Sequence, residues 1–207
     1  QNLNSHMAKN SEWGATVYLA HSKYGTNGQK VEKQGGEYIA GGSSTATTIY
    51  TTNKKVTTTH NAYGVYGMNG GAWEYVASYV DYGDSMYSYA KEYGEYGEED
   101  SILGKDSSER ATSTAYKTVY PADGTSYTDS YNNQAKNIKG DGVYETSNSA
   151  SSGTGSWFDA CASFLDTSTP FFIRSGYSGY SNAGAFYFNS HNGNAYRSNS
   201  FRVVLVS

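Results

Sequence analysis

The stretch Asn61-Ala-Tyr-Gly-Val-Tyr-Gly-Met-Asn-Gly-Gly-Ala-Trp-Glu-Tyr75 carries the densest structural signal in the chain. Its first half, Ala62 to Met68, alternates like a β-strand that points successive side chains to opposite faces. Asn69-Gly-Gly71 is typical of a turn, because Asn and Gly tolerate the backbone angles that a tight turn needs. Ala72 to Ser78 then predicts a second strand.

The regions on either side of this stretch predict one clear helix and three further strands. Glu12 to Tyr24 repeats its apolar residues at helical spacing, and Ser11 can cap the start. A short helix is also expected at Met86 to Tyr93, and a buried segment at Trp157 to Leu165. The last strands are predicted at Phe171–Arg174, Ala183–Phe188 and Phe201–Val206.

The composition indicates one folded domain rather than a disordered or nucleic-acid-binding chain. Of the 207 residues, 22 are Tyr and only 16% are charged, whereas disordered chains lack aromatic residues. We expect a flexible segment at 1–10 and a single domain at 11–207. With a net charge of −4 and no basic patch, neither nucleic acid nor an anionic membrane is an expected partner. No apolar run reaches the roughly 18 residues of a membrane span, so direct membrane insertion of this fragment is not expected either. Because the chain begins at Gln1, we expect a targeting or anchoring segment to precede it.

The residues that could carry catalysis or bind metal form no recognisable constellation. Cys161 is the single cysteine, which excludes an internal disulfide and favours an inert core thiol. The acidic run Glu95 to Asp100 favours a solvated loop over a cation site. The four histidines are scattered along the chain at His6, His21, His60 and His191. We therefore expect no enzyme activity, no cofactor and no metal.

Two further groups of residues receive structural interpretations. The three tryptophans are expected in the core rather than as ligand platforms; they are Trp13, Trp73 and Trp157. Glu12 and Glu74 are expected to bond the backbone within the fold and not to act as an acid/base pair.

Three motifs in order along the chain resemble the formylglycine-generating-enzyme (sulfatase-modifying factor) family. They are Asn10 to Ala15, Asn61 to Tyr75, and Phe172 to Gly176 followed by Ser200 to Leu205. The resemblance implies an α+β, C-type-lectin-like single domain with short twisted antiparallel sheets and one or two helices. The family's enzymes use active-site cysteine chemistry, and Cys161 lies outside every matching motif. The Glu-Pro-Asn calcium motif of sugar-binding C-type lectins is also absent.

The chain also resembles the variable proteins of diversity-generating retroelements and certain pilin-like surface proteins of Gram-positive bacteria. In the diversified proteins, adenine-specific mutation of AAC-type codons cannot yield Lys, Glu, Gln, Trp or Met. Residues 175–200 contain none of these five types, whereas the other 181 residues hold 31 of them. The resemblance therefore implies a diversified surface at about 175–200.

This stretch is also rich in the residues that antibody contact loops use. Tyr gives a large contact with little side-chain entropy to lose, while Ser, Gly and Asn supply adaptable hydrogen bonds. The candidate ligand-binding residues are Ser175, Tyr177, Ser178, Tyr180, Ser181, Asn182, Tyr187, Asn189, Ser190, His191, Asn192, Asn194, Tyr196, Arg197 and Ser198.

Strand alternation assigns some of the neighbouring side chains to the core. It predicts that Phe186 and Phe188 face inward and Tyr187 outward. Phe201, Val203 and Leu205 share one face, which we expect to point inward.

These observations favour a non-enzymatic, extracellular receptor or adhesin on a cell surface, a pilus or a phage particle. Its partner would be a protein or glycan ligand on another cell or particle, and assembly into a pilus or virion could occur through a segment before Gln1. Two alternatives stay open. One is a structural pilus or phage-tail appendage domain with no dedicated ligand, and the other is an enzyme of the formylglycine-generating type.

Overall fold

The computed structural model describes residues 4–28, 57–59, 61, 63–68, 72–83, 107–122, 138–143, 165–176 and 184–206. Two helices lie in these ranges, α1 (Asn10–His21) and α2 (Ser107–Ala111). The strands of these ranges are β1 (Asn4–Met7), β2 (Trp73–Asp81), β3 (Thr118–Pro121), β4 (Phe171–Ser175), β5 (Phe188–His191), β6 (Asn199–Phe201) and β7 (Val203–Val206).

Helix α1 confirms the helix predicted from apolar spacing, although it begins two residues earlier and ends before Tyr24. Lys9 occupies the N-cap position, and its backbone N–H donates to Glu12 Oε2 at 2.9 Å. This bond satisfies a donor at the start of the helix, as in a capping box. Ser11, the predicted cap, lies inside the helix instead.

Strand β2 is the centre of a mixed sheet, and it confirms the strand predicted at Ala72 to Ser78. On one edge it pairs antiparallel with β4, which in turn pairs antiparallel with β5. On the other edge β6 and β3 both run parallel to β2, at its beginning and its end respectively. Between them the Ala77 N–H donates to the Ala8 carbonyl at 2.8 Å. The backbone of β2 is thus bonded along both edges.

A second, two-stranded sheet joins the two ends of the described chain. Strand β1 pairs antiparallel with β7, from Asn4 opposite Val206 to Met7 opposite Val203. The expectation of a flexible segment at 1–10 is therefore wrong for Asn4–Met7, because the ladder to β7 satisfies their backbone groups. The chain then continues into Ala8, whose carbonyl accepts the Ala77 N–H of β2.

The main core lies where α1 packs against the five-stranded sheet. It combines residues from the helix, the sheet strands and the segments around 143, 165 and 185. Its members are Trp13, Val17, Met68, Val76, Val80, Tyr120, Val143, Leu165, Phe172, Ala185, Phe186, Tyr187 and Phe188. The elements together form an α+β fold, as predicted from the sequence.

Two stretches expected to be strands are turns instead. Residues 63–68, inside the strand predicted at Ala62 to Met68, form turns and bends with one isolated bridge from Thr57 to Tyr66. The Asn61 side chain accepts the Tyr63 N–H at 2.8 Å, a local turn bond that competes with a strand ladder. Residues 184–187, which precede β5 within the strand predicted at Ala183–Phe188, also form a turn. In this turn the Tyr187 N–H donates to Gly184 O at 2.9 Å.

The turn before Phe188 changes which side chains are buried. Phe186 and Phe188 are buried, which confirms their core assignment, but Tyr187 is only 1% exposed. The prediction that Tyr187 faces outward is therefore wrong. It assumed two-residue alternation across a segment that is not extended.

The face assigned to the last strands is also reversed. Phe201, Val203 and Leu205 do share a face, but they are 60%, 53% and 65% exposed. Arg202, between them, faces Glu74 and bonds its carboxylate. Alternation groups residues by face, but it does not say which face is the inner one.

Some sequence predictions lie outside the described residues. These are the helix at Met86 to Tyr93, the acidic run at Glu95 to Asp100, Cys161, and all of the segment Trp157 to Leu165 except Leu165. Within the described ranges, no helix is long and apolar enough to span a bilayer.

Replacing Gly14 with alanine is expected to destabilise the fold by about 1–3 kcal/mol through overpacking. A Cβ at Gly14 would contact the Gly140 carbonyl oxygen and lie 2.6 Å from the Asp141 carbonyl carbon. Both are backbone atoms, so a side-chain rotation cannot relieve the clash. Urea titration measures the loss, and Ala15→Ser on the exposed side of the same helix is the control. An unchanged urea midpoint for Gly14→Ala would contradict this packing.

Candidate ligand-binding site

The structure divides the predicted contact residues by exposure. Tyr196 is 56% exposed, and Arg197 beside it is also exposed. Half-buried positions follow the β5 strand and the loop after it: Asn189, Ser190, Asn192, Asn194 and Ser198. The buried positions are Ser175, Tyr187 and His191. Five predicted residues lie outside the described part of the chain: Tyr177, Ser178, Tyr180, Ser181 and Asn182.

Two of the buried positions have structural roles. Ser175 ends β4 with a φ of 63°, in the left-handed region that non-glycine residues rarely adopt, and its Oγ donates to Gly67 O at 3.2 Å. The Tyr187 hydroxyl accepts a bond from Asn189 Nδ2 at 2.9 Å. Neither side chain is available to a large ligand.

His191 is the centre of a group of four rings, which we call the His191 cluster: Trp73, Tyr75, His191 and Tyr196. The three other ring centroids lie 6.4, 5.2 and 5.7 Å from the imidazole, and each ring is close to perpendicular to it. Such edge-to-face packing is favourable between aromatic rings. Strand β2 supplies two members of the cluster, and β5 and the following loop supply the others.

The loop after β5 turns sharply to complete this cluster. Gly193 has a φ of 99°, and a Cβ there would come within 3.2 Å of the Phe171 ring. The turn brings Asn194 O to 2.9 Å from the Tyr75 hydroxyl, which also makes a short hydrogen bond with His191 Nδ1. The Gly193 N–H donates to the same nitrogen at 3.2 Å. Burial lowers the pKa of His191 below its ordinary value of 6.5, which favours the neutral ring at pH 7.

A second polar group is sealed inside the core, and we call it the Arg174 network: Asn10, Tyr120, Asp141 and Arg174. The Tyr120 hydroxyl donates to Asp141 Oδ2 at 2.5 Å and accepts from Asn10 Nδ2 at 3.2 Å. Burial, followed by the neighbouring Asp141 charge, holds the pKa of Tyr120 well above 10.0. All four residues are at most 1% exposed. This burial indicates a structural role.

The two motif glutamates have different partners, and the expectation that both bond the backbone is met by Glu12 but is wrong for Glu74. Glu12 accepts the Lys9 backbone N–H and also bonds His6 Nε2 at 2.8 Å. Glu74 instead pairs with Arg202 through both carboxylate oxygens, at 2.5 and 2.7 Å.

Of the tryptophans, Trp13 lies in the core as predicted, and Trp73 is half-buried in the His191 cluster.

Among the described side chains, no three His, Cys, Asp or Glu residues are grouped closely enough to hold a metal ion.

Comparison of the chain with protein-family models, with curated proteins and with solved structures finds no match. The resemblances stated for its motifs therefore stay predictions.

Sequence reasoning missed the contribution of β2 to the candidate site. Tyr75 and His191 are 116 residues apart along the chain, and no spacing rule connects them. The one available signal is the proximity of Trp73 and Tyr75 in an aromatic strand, of which the sequence analysis assigns only Trp73, to the core.

Proposed function

We propose that this domain is a non-enzymatic binding module that contacts its ligand through the C-terminal surface around Tyr196 and Arg197. The observation that carries the proposal is the exposure of an adjacent Tyr and Arg on an anchored loop. Tyr and Arg are the residue types most enriched among the energetic anchors of interfaces. Because an exposed Tyr has only two torsions to freeze, it loses little entropy on binding.

The anchoring of this loop supports the proposal. The Asn199 N–H donates to Tyr196 O at 2.9 Å, and the Trp73 N–H donates to Ser198 O at 3.0 Å. Residue Asn199 then begins β6, which pairs with the central strand β2. The two exposed side chains therefore sit on a loop whose following residues are bonded to the sheet, an arrangement typical of binding loops on a rigid scaffold.

The finer identity of the module is also part of the proposal. The motifs at Asn10 to Ala15, Asn61 to Tyr75 and Ser200 to Leu205 support a C-type-lectin-like domain of the kind diversified by retroelements. Such a domain would be displayed outside the cell, on a cell surface, a pilus or a phage particle. A near-copy of the 3′ coding end beside a reverse-transcriptase gene would support diversification. Natural variation spread evenly along the chain would contradict it.

Removal of the Tyr196 and Arg197 side chains is expected to weaken ligand binding by at least about tenfold, equivalent to about 1.4 kcal/mol. The measurement is the binding of fluorescently labelled protein to a panel of intact bacterial cells, comparing wild type with Tyr196→Ala/Arg197→Ala. The matched control is Lys23→Ala/Tyr24→Ala, since it removes another exposed, adjacent cation and tyrosine. Equal binding by wild type and both double variants would overturn the proposed function.

A further inference from the structure

The last two strands, β6 and β7, use one of their backbone edges inside the fold. At the start of this stretch the Trp73 N–H donates to Ser198 O at 3.0 Å, and further along the Ala8 N–H donates to Arg202 O at 2.9 Å. Strand β7 then pairs with β1, in a register that continues the pairing of Ala8 with Arg202. Carbonyls an even number of residues apart point to the same side of an extended strand. These partners therefore all lie along one edge, the inner edge.

The opposite edge carries backbone groups that have no strand to pair with. In antiparallel pairing, residues that exchange hydrogen bonds alternate with residues that do not. The bond from Ala8 to Arg202 therefore means that every second residue from Arg202 onward bonds β1, and that the residues between them point their N–H and C=O groups away. Apart from the strand ladders, the described residues make no hydrogen bond to these outward groups. We call them the outer edge: Phe201, Val203 and Leu205.

The outer edge lacks the features that normally prevent strand addition. Sheet proteins protect a free edge with charged side chains, proline or a bulge. Residues 199–206 contain no proline and one charged residue, Arg202. Its guanidinium is directed to the inner face, where it bonds the Glu74 carboxylate. The outer-edge side chains are all apolar and more than half exposed. This edge is therefore suited to pairing with another strand.

The same strand of a second copy is complementary to this edge. When two copies pair antiparallel about Val203, that residue lies opposite its own counterpart, and Phe201 lies opposite Leu205. Each of these pairs joins residues whose backbone groups point outward, so each can exchange two hydrogen bonds. Directly opposite side chains share a face of the sheet and stabilise it by about 0.2–1 kcal/mol a pair. The apolar side chains of both copies thus form one uncharged layer.

We propose that this protein forms a two-fold homodimer through antiparallel pairing of the outer edge with the outer edge of a second copy. The pairing closes at two copies because both use the same edge. It goes beyond the ligand contact proposed at Tyr196 and Arg197, and neither proposal depends on the other.

Sedimentation velocity over a concentration series tests the dimer. Wild type is expected to shift from monomer to dimer as its concentration rises. Val203→Lys is expected to raise the dissociation constant by at least about tenfold, because it places two like charges directly opposite each other. Leu19→Lys is the matched control, since Leu19 is 59% exposed on α1, and its association is expected to equal that of wild type. Unchanged association of Val203→Lys would overturn the proposal.

Mixing variants of opposite charge tests the register. Val203→Lys and Val203→Glu are each expected to be weak dimers alone and to associate when mixed, because the two-fold register places the two side chains opposite each other. Leu205→Lys mixed with Leu205→Glu is the matched control, since position 205 lies opposite Phe201 and gains no directly opposite charge. A Val203 mixture that associates no better than either variant alone would contradict pairing about Val203.

Hydrogen exchange of wild type tests the same pairing without any substitution. The amide protons of Val203 and Leu205 bond across the dimer, so their exchange is expected to become faster on dilution. The Val204 amide bonds β1 and is expected to stay protected at every concentration. Wild type that is monomeric throughout the series, or whose Val203 amide exchanges rapidly at the highest concentration, would overturn self-pairing. The outer edge would then be open to a strand of a different protein.

Discussion

Arg174→Leu is expected to lower the free energy of unfolding by about 3–5 kcal/mol, because it takes a charged donor from a buried carbonyl and removes two buried cation–π contacts. Arg174 is fully buried, and its Nη2 donates to Asp141 O at 2.5 Å. Its guanidinium also lies 5.9 Å from the Trp13 ring centroid and 5.6 Å from that of Phe188. Leucine would leave the carbonyl without this donor and remove both cation–π contacts.

Urea unfolding of wild type and variant measures this loss. Arg197→Leu is the control, because an exposed arginine contributes within about 0.5 kcal/mol. A single domain is stable by only about 5–15 kcal/mol, so Arg174→Leu can fail to fold. Tyr120→Phe removes one hydroxyl from the same network, with an expected loss of about 1–3 kcal/mol. Wild-type stability in Tyr120→Phe would show that the network does not support the fold.

Arg202→Ala is expected to cost about 2–3 kcal/mol near neutral pH, below the usual cost for a fully buried pair. Arg202 bonds both oxygens of Glu74, which is 6% exposed, and it donates to Tyr66 O at 2.8 Å. The variant leaves a buried carboxylate without its counter-charge. Solvent reaches part of the Arg202 side chain, which screens the interaction.

The cost of Arg202→Ala is expected to depend on pH. Burial raises the pKa of Glu74 above 4.5, and the hydrogen bond and charge of Arg202 oppose that rise. A raised carboxyl pKa means that the folded state holds its proton to higher pH than the unfolded state. Its stabilising effect is therefore present below the unfolded pKa and is lost as the pH rises through the folded pKa.

Removing Arg202 raises the pKa of Glu74 further, so the variant's deficit is expected to be smallest near about pH 4 and largest near about pH 7. Urea titrations at both pH values measure it. Glu74→Gln/Arg202→Ala is the control, because it removes the titrating carboxyl. A deficit of the single variant that is the same at both pH values would contradict this account of the pair.

The local parts of the fold were predictable from the sequence where a strong periodic signal coincided with the final packing. Helix α1 and strands β2 and β4 are examples, since their apolar residues face a core on the side that the pattern indicates. Helix α1 begins earlier than predicted because the Glu12 carboxylate accepts the Lys9 N–H and Ser78 Oγ accepts the Asn10 N–H, so Ser11 is not the cap.

The errors come from information that a local pattern does not contain. The turn bond from Tyr187 to Gly184 interrupts the alternation, so a residue assigned to the surface is buried. Phe201, Val203 and Leu205 were grouped correctly but assigned to the wrong side, because the pairing of Arg202 with Glu74 across 128 residues decides the inner face.

The candidate site was predictable in part. Composition led to the exposed pair Tyr196 and Arg197, yet it also included the buried Ser175 and Tyr187. None of the residues from 158 to 207 is Lys, Glu, Gln, Trp or Met, and this range includes the strands β4 and β7. Codon-type composition therefore does not delimit the proposed contact surface, whereas exposure separates Tyr196 and Arg197 from the buried Ser175 and Tyr187.

The antiparallel pairing of β1 with β7 places Asn4 directly opposite Val206. The described chain therefore enters and leaves the fold side by side. Such a domain can be inserted into a loop of a host protein without separating the two ends of that loop. The same geometry makes the chain suitable for circular permutation, since a short linker would join its ends and new termini could be opened at an exposed turn.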